Sequence, residues 1–295
     1  MNSVTLAIGF GFVTASILAL GAVGFTLQFG VTNIFNLSYG QVMTAGMYVA
    51  YVVNVTAHAS IWIALAAGGL VGAVLSVAIN RLIFAPFLRR GTSLGALIIV
   101  SLALGIVIEN LLLVIAGAQF RSYHRSSEHS LHFLGMILTT QQLVIIAIGL
   151  VAMITLHAML RYTRLGKAMR ATASDVNLAR SCGISTERVT ILACALSGLL
   201  CGAAGVAFAI NIATFEHTTG SGLLLVVIAA AVFGGVGQPY GAMLGALVIG
   251  IASELAAIIS PDLKQVIAFA ILALMLLVRP NGLIPAPSAA AEVAA

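Results

Sequence analysis

Charge is what this chain has least of. Of its 295 residues, 8 are Asp or Glu and 13 are Lys or Arg, together 7%, against 61% hydrophobic residues. A soluble globule carries roughly a quarter charged residues, so a water-clothed fold of this length is excluded. Cysteine is scarce as well: Cys182 lies in a polar stretch and Cys194 and Cys201 in an apolar run. Their spacing suits neither a zinc site nor a disulfide framework. The chain contains no Gly-x-x-x-x-Gly-Lys-Ser/Thr phosphate loop, no His-Glu-x-x-His and no Gly-x-Ser-x-Gly, which removes the usual signatures of nucleotide, metalloprotease and serine-hydrolase chemistry. His124, His129 and His132 share one loop, but spacings of five and three make no metal set. We assign no metal, no bound cofactor and no enzymatic activity.

What is present is apolar length. Mean hydropathy is +1.15, and apolar runs occupy about 5–30, 38–58, 61–85, 93–117, 140–160, 188–212, 221–234, 239–259 and 263–279. Lipid offers the backbone no hydrogen-bond partners, so such runs must be helices, and the two-residue alternation of a membrane barrel is absent. The expected fold is an all-α polytopic bundle of eight or nine spans, one domain over 1–284. The first run has no basic n-region and is longer than a signal-peptide core, so it reads as a retained span. The remaining tail, 285–295, is rich in Ala and Pro with only Glu292 charged, a composition that stays disordered.

The isoelectric point near 9.5 would suggest nucleic acid in a soluble protein. Here the basic residues sit in short loops beside spans, where they set orientation, and no nucleic-acid partner is read. Arg81, Arg89 and Arg90 mark one cytoplasmic loop; Arg161, Arg164, Lys167, Arg170, Arg180 and Arg188 mark another. The loop between them, Ala118 to Thr139, then faces outward with Arg121, Arg125 and Glu128, and the C-terminus returns inside.

Two stretches interrupt the apolar pattern. Gln28, Asn33, Asn36, Ser38, Gly40 and Gln41 fall in 28–41, and a Gly-rich break, Gly234 to Gly241, falls in 221–241. The apolar piece before that break is about 14 residues, roughly 21 Å of helix against a core near 30 Å. Each stretch reads either as a discontinuous or re-entrant helix lining a pathway or as an ordinary turn. Glu109 and Glu254 fall within spans, in the outer half. Glu109 fits a pathway or a structural role; Glu254 fits pairing near the interface. Arg121 and Arg125 are placed to meet an acidic external partner or simply water.

The basic stretch 161–188 also has helical order. Leu165, Met169, Thr172, Val176 and Ala179 form a weak apolar stripe, Gly183 suits a C-cap, and Ser185 and Glu187 suit the start of the next helix. By composition alone this is a solvated loop or a helix lying on anionic lipid.

The residues from Thr163 to Ala173, followed by Ala179, Gly183-Ile184 and Arg188-Val189, resemble the cytoplasmic coupling loop of the branched-chain amino acid ABC transporter permease family. Asn33 to Gln41 resembles that family's Asn-Phe-Ala-His-Gly-Glu type segment, with Tyr39 in place of the common histidine and Gln41 in place of the common acid. Gly234 to Gly245 and Leu277 to Leu283 resemble its late Gly-rich stretch and C-terminal ending. The resemblance implies an importer subunit of the bacterial inner membrane, with a second permease subunit, two cytoplasmic ATPase subunits that hydrolyse ATP, and an external solute-binding protein. It places ATPase coupling on Gly166, Lys167, Ala168, Arg170, Ala171, Asp175, Ala179 and Gly183, in a helix from about Gly166 to Cys182. Branched-chain or related amino acids are the implied cargo. Urea or amides on the same permease type, and an ion-coupled secondary transporter with Glu109 and Glu254 relaying protons, are the alternatives.

Overall fold

The computed structural model describes residues 3–124, 130–133, 136–279 and 282–284. The order is α1 (Ser3–Thr32), α2 (Tyr39–Tyr51), α3 (Ile61–Ile79), α4 (Ala85–Arg89), α5 (Leu94–Ala116), β1 (Ser130–Phe133), β2 (Met136–Thr139), α6 (Thr140–Tyr162), α7 (Arg164–Ser174), α8 (Val176–Ser181), α9 (Thr186–Ile212), α10 (Thr219–Gly234), α11 (Pro239–Ala256) and α12 (Leu263–Val278). Widened π turns extend α2 through Val52–Thr56 and join α3 to α4 through Asn80–Phe84. Six of these helical stretches are long and apolar enough to cross a membrane, and α10 and α12 are shorter apolar helices. The chain is a multi-pass membrane protein.

Buried small residues set the architecture. Helix α1 is the central post, packed on α11, α9, α6 and α10, while α3 lies along α9 and α2 fills the space between α3, α9 and α10. A Cβ on Gly72 would strike the Gly198 carbonyl, and one on Gly202 the Gly68 carbonyl. Lipid supplies little hydrophobic drive between helices, so this close approach lets dispersion hold α3 to α9. By contrast α5 buries only Leu97, Ser101 and Gly105 along its length and leaves Ile99, Ile106, Val107, Val114 and Ile115 exposed.

The two ends of the bundle differ in content. One carries α7, α8, the α10–α11 turn and the Arg89–Glu187 ion pair. The other carries residues 121–124, which bond to Asn54 and Phe215, together with the β1–β2 hairpin. Helix α1 ends beside Gly237, at the first of these.

The structure corrects the expected elements in several places. The break near 28–41 is narrower: α1 runs through Thr32, keeping Gln28 helical, and the chain leaves helix only at Asn33, whose φ is 54°. The second break is confined to 235–238, where Gly235 and Gly237 take positive φ. The single helix expected from Gly166 to Cys182 is two, because Asp175 is extended (φ −154°, ψ 113°) and its carboxylate accepts from Asn177 N at 2.7 Å and Leu178 N at 3.0 Å. An Asp that caps a new helix so well ends the old one. Ser185 makes no side-chain cap. A short hairpin between α5 and α6 departs from an all-helical chain.

Candidate substrate pathway and coupling surface

The polar residues of the first break are mostly spent on building it. Asn36 Oδ1 accepts from Ser38 N at 3.1 Å and Ser38 Oγ at 2.6 Å, an Asx turn that reverses the chain into α2. Gln28 Oε1 accepts from Ser197 Oγ at 3.2 Å, pinning α1 to α9. Gly40 lies so close to α10 that a Cβ would meet the Gly220 carbonyl at 2.7 Å. Asn33 is exposed. Tyr39, noted in the sequence for replacing a common histidine, sends its hydroxyl to the carbonyls of Gly21 and Ser197, both at 3.2 Å. Sequence reasoning missed two further anchors: Thr44, which accepts from Gly220 N, and Ser101, which joins α5 to the turn through Phe35 and Leu37. A lone hydroxyl inside an apolar run was the available signal.

The two acids within apolar helices have different surroundings. Glu254 accepts from Lys264 Nζ at 2.8 Å and from Thr14 Oγ1 at 2.8 Å, joining α11, α12 and α1. Glu109 instead bonds a glutamine. Its Oε2 accepts from Gln41 Nε2 at 2.5 Å, and Asn110 donates back to Ile106 O. Two residues of the expected pathway are thereby in direct contact.

The two breaks and the basic stretch meet at one end of the bundle. A cavity of about 760 Å³ lies between the end of α1, helix α7 and the α10–α11 turn, and Asn33, Arg170, Thr172, Gln238 and Tyr240 are among its lining. Helix α7 reaches it by folding back on α6. Thr163 Oγ1 caps α7 by accepting from Gly166 N at 3.1 Å, and Gly166 sits where a Cβ would overlap the Leu160 backbone. The Arg170 guanidinium donates to the Leu160 carbonyl. Gly166, Met169 and Thr172 face inward, Ala168 and Ala171 are half-buried, and Lys167 is exposed. In α8 Ala179 is buried, Gly183 ends the helix at φ 82°, and Arg180 Nε donates to Thr186 Oγ1 at 2.9 Å. Helix α8 is thereby tied to the first turn of α9. Val176 and Leu178 remain exposed, an apolar patch beside Lys167 and Arg180.

At the opposite end, Arg121 is committed within the chain. Its backbone exchanges hydrogen bonds with Phe215, its guanidinium donates to Ala116 O at 2.9 Å, and it stands 5.5 Å from the Tyr51 ring centre. Phe215 gathers Tyr48, Tyr51 and Tyr123 around it. Tyr123 donates to Met47 O at 3.1 Å, and burial pushes its phenol up from the ordinary value. Arg125, Glu128 and His129, and the tail from 285, lie outside the described residues. Among the described residues no cluster of three metal-ligating side chains occurs.

Comparison with known proteins finds relatives over most of the chain. The model of a family described as branched-chain amino acid transport system, permease component, matches residues 7–276. The chain is 32% identical over 293 residues to the high-affinity branched-chain amino acid transport system permease protein LivH of Escherichia coli, covering 94% of each. It is 28% identical over 294 residues to the corresponding BraD of Pseudomonas aeruginosa, again covering 94% of each. A shorter likeness, 35% over 111 residues, covers 35% of this chain and 32% of the autoinducer 2 import system permease protein LsrC of Yersinia pseudotuberculosis.

Proposed function

We propose a transport role from one premise: this chain belongs to the branched-chain amino acid transport system permease family, which it matches over residues 7–276. In this reading it is the membrane-spanning subunit of an ATP-driven importer in a bacterial inner membrane. A second permease subunit completes the pathway, two cytoplasmic ATPase subunits supply energy, and an external solute-binding protein delivers branched-chain or related amino acids. The chain itself binds no cofactor and catalyses no covalent step. The observation that carries the reading is the join of α7 and α8 to both α6 and α9, because an ATPase moving that pair would move two spans.

Force would enter on the exposed side of α7 and α8, at Lys167, Val176, Leu178 and Arg180, and pass through Gly166 and Arg170 to α6 and through Arg180–Thr186 to α9. Orientation follows from the basic residues: the α7–α8 end faces the cytoplasm and the Arg121 end faces outward. The bundle then has nine crossings, counting α2, α10 and α12, whose shorter lengths suit a channel lined by discontinuous helices. Docking of the binding protein falls to the outward loops, where Arg121 is already engaged within the chain and Arg125 lies outside the described residues. Glu254 is neutralised by Lys264, which disfavours a two-carboxylate proton relay. LsrC is named for a different cargo, so the cargo of this chain rests on its longer likenesses.

The test uses the assembled importer in proteoliposomes. Ala171→Glu or Gly166→Pro abolishes binding-protein-stimulated ATP hydrolysis while the subunit still inserts. Stimulation at the wild-type level would refute the coupling role.

A further inference from the structure

Gln41 and Glu109 offer oxygen acceptors with no cation among the described residues to balance them. Gln41 uses its amide nitrogen on Glu109 Oε2 at 2.5 Å. Because a carboxylate only accepts, this contact fixes the amide: nitrogen toward the acid, Oε1 away from it. That Oε1 is buried and has no hydrogen-bond donor, in a residue only 3% exposed. Polar atoms so enclosed are ordinarily paired. Glu109 makes no ion pair among the described residues, whereas Glu254 holds Lys264. The neighbours cannot compensate, since Asn110 donates to Ile106 O and Ser101 donates to the carbonyls of Phe35 and Ile98.

The position suits an encounter with solute. Glu109 is the sixteenth residue of α5, about 22 Å along its axis from the basic loop, and it is half-buried. A carboxylate at that depth is costly against lipid unless a partner or water meets it. Two acceptors with one negative charge select a positively charged group with several N–H donors. Neutral amides would satisfy the carbonyl and leave the charge, and anions would be repelled.

We propose that Gln41 Oε1 and the Glu109 carboxylate receive the α-ammonium group of the transported amino acid in the outer half of the pathway. Gln41 is the positioned carbonyl and Glu109 the counter-charge, and the inference rests on the amino-acid transport reading above. The substitution Glu109→Gln keeps an acceptor for Gln41 Nε2, removes the charge and puts an amide N–H donor in place of one acceptor oxygen. In the assembled importer it lowers kcat/KM for leucine uptake about tenfold or more. Glu109→Asp recovers most of the uptake.

Uptake by Glu109→Gln equal to wild type would overturn the assignment. So would a loss accompanied by a lowered melting temperature that Glu109→Asp does not recover, since that marks a structural role. Replacing sodium and potassium by N-methylglucamine leaves wild-type uptake unchanged; a dependence on those ions that Glu109→Gln abolishes would place an inorganic cation at the pair instead. A wild-type importer that takes up no amino acid would overturn the transport reading, and this inference with it.

Discussion

Lys264 on α12 and Thr14 on α1 meet at the same carboxylate oxygen of Glu254, each at 2.8 Å. Three helices far apart in sequence are thus joined at a single acid. Removing Lys264 leaves that acid, only 8% exposed, without its cation. Lys264→Ala is expected to cost about 1–2 kcal/mol, reduced from the deeply buried case because the lysine itself is half-exposed. The double variant Glu254→Gln with Lys264→Met should recover much of it. Thermal melting of the purified protein in detergent measures both, and a double variant less stable than either single one would contradict the account.

Asp175 tests the division of the basic stretch into two helices. Its carboxylate satisfies two N–H groups at the start of α8, so Asp175→Ala should weaken that cap by about 1 kcal/mol. Hydrogen exchange should quicken over 176–181 while α7 keeps its protection. Equal quickening in both helices would show that they form one cooperative unit.

The crossing of α3 and α9 leaves no room for a side chain at Gly202, where even a Cβ would overlap the Gly68 carbonyl. Gly202→Val should therefore force the helices apart, at about 3 kcal/mol or more. Loss of monodisperse protein on size exclusion is the readout. Gly222, whose added Cβ meets nothing within 4 Å, serves as the tolerant control when changed to Ala.

Tyr123 provides a pH-dependent case at the end of the bundle opposite α7. Burial raises its phenol above the ordinary tyrosine value of about 10, so the folded state holds that proton more tightly than the unfolded chain does. Its contribution is intact below about pH 10 and declines as alkalinity ionises the unfolded form first. Tyr123→Phe should lose about 1 kcal/mol at neutral pH, from the bond to Met47 O. It should also flatten the alkaline end of the stability profile, and melting curves between pH 8 and 11 test both effects.

Much of this protein was legible in composition and local pattern. An apolar backbone in lipid has few ways to satisfy its amides, so nearly every helix could be placed from hydropathy, and Gly183 and Glu187 fell where helix ends require them. The basic stretch declared its inward face through Met169 and Thr172, both buried. Sequence could not decide which polar groups face a pathway and which face each other. Gln28, Asn36 and Ser38 share one short segment and look alike there, yet each is bonded to protein. Glu254 was expected to pair near the interface and Glu109 was left between a pathway and a structural role, but only packing gave the first a lysine and the second a glutamine with an unpaired oxygen. The reason is range: helix formation depends on neighbours within about four residues, whereas the bond between Gln41 and Glu109 spans 68 positions and exists only once α2 and α5 lie side by side.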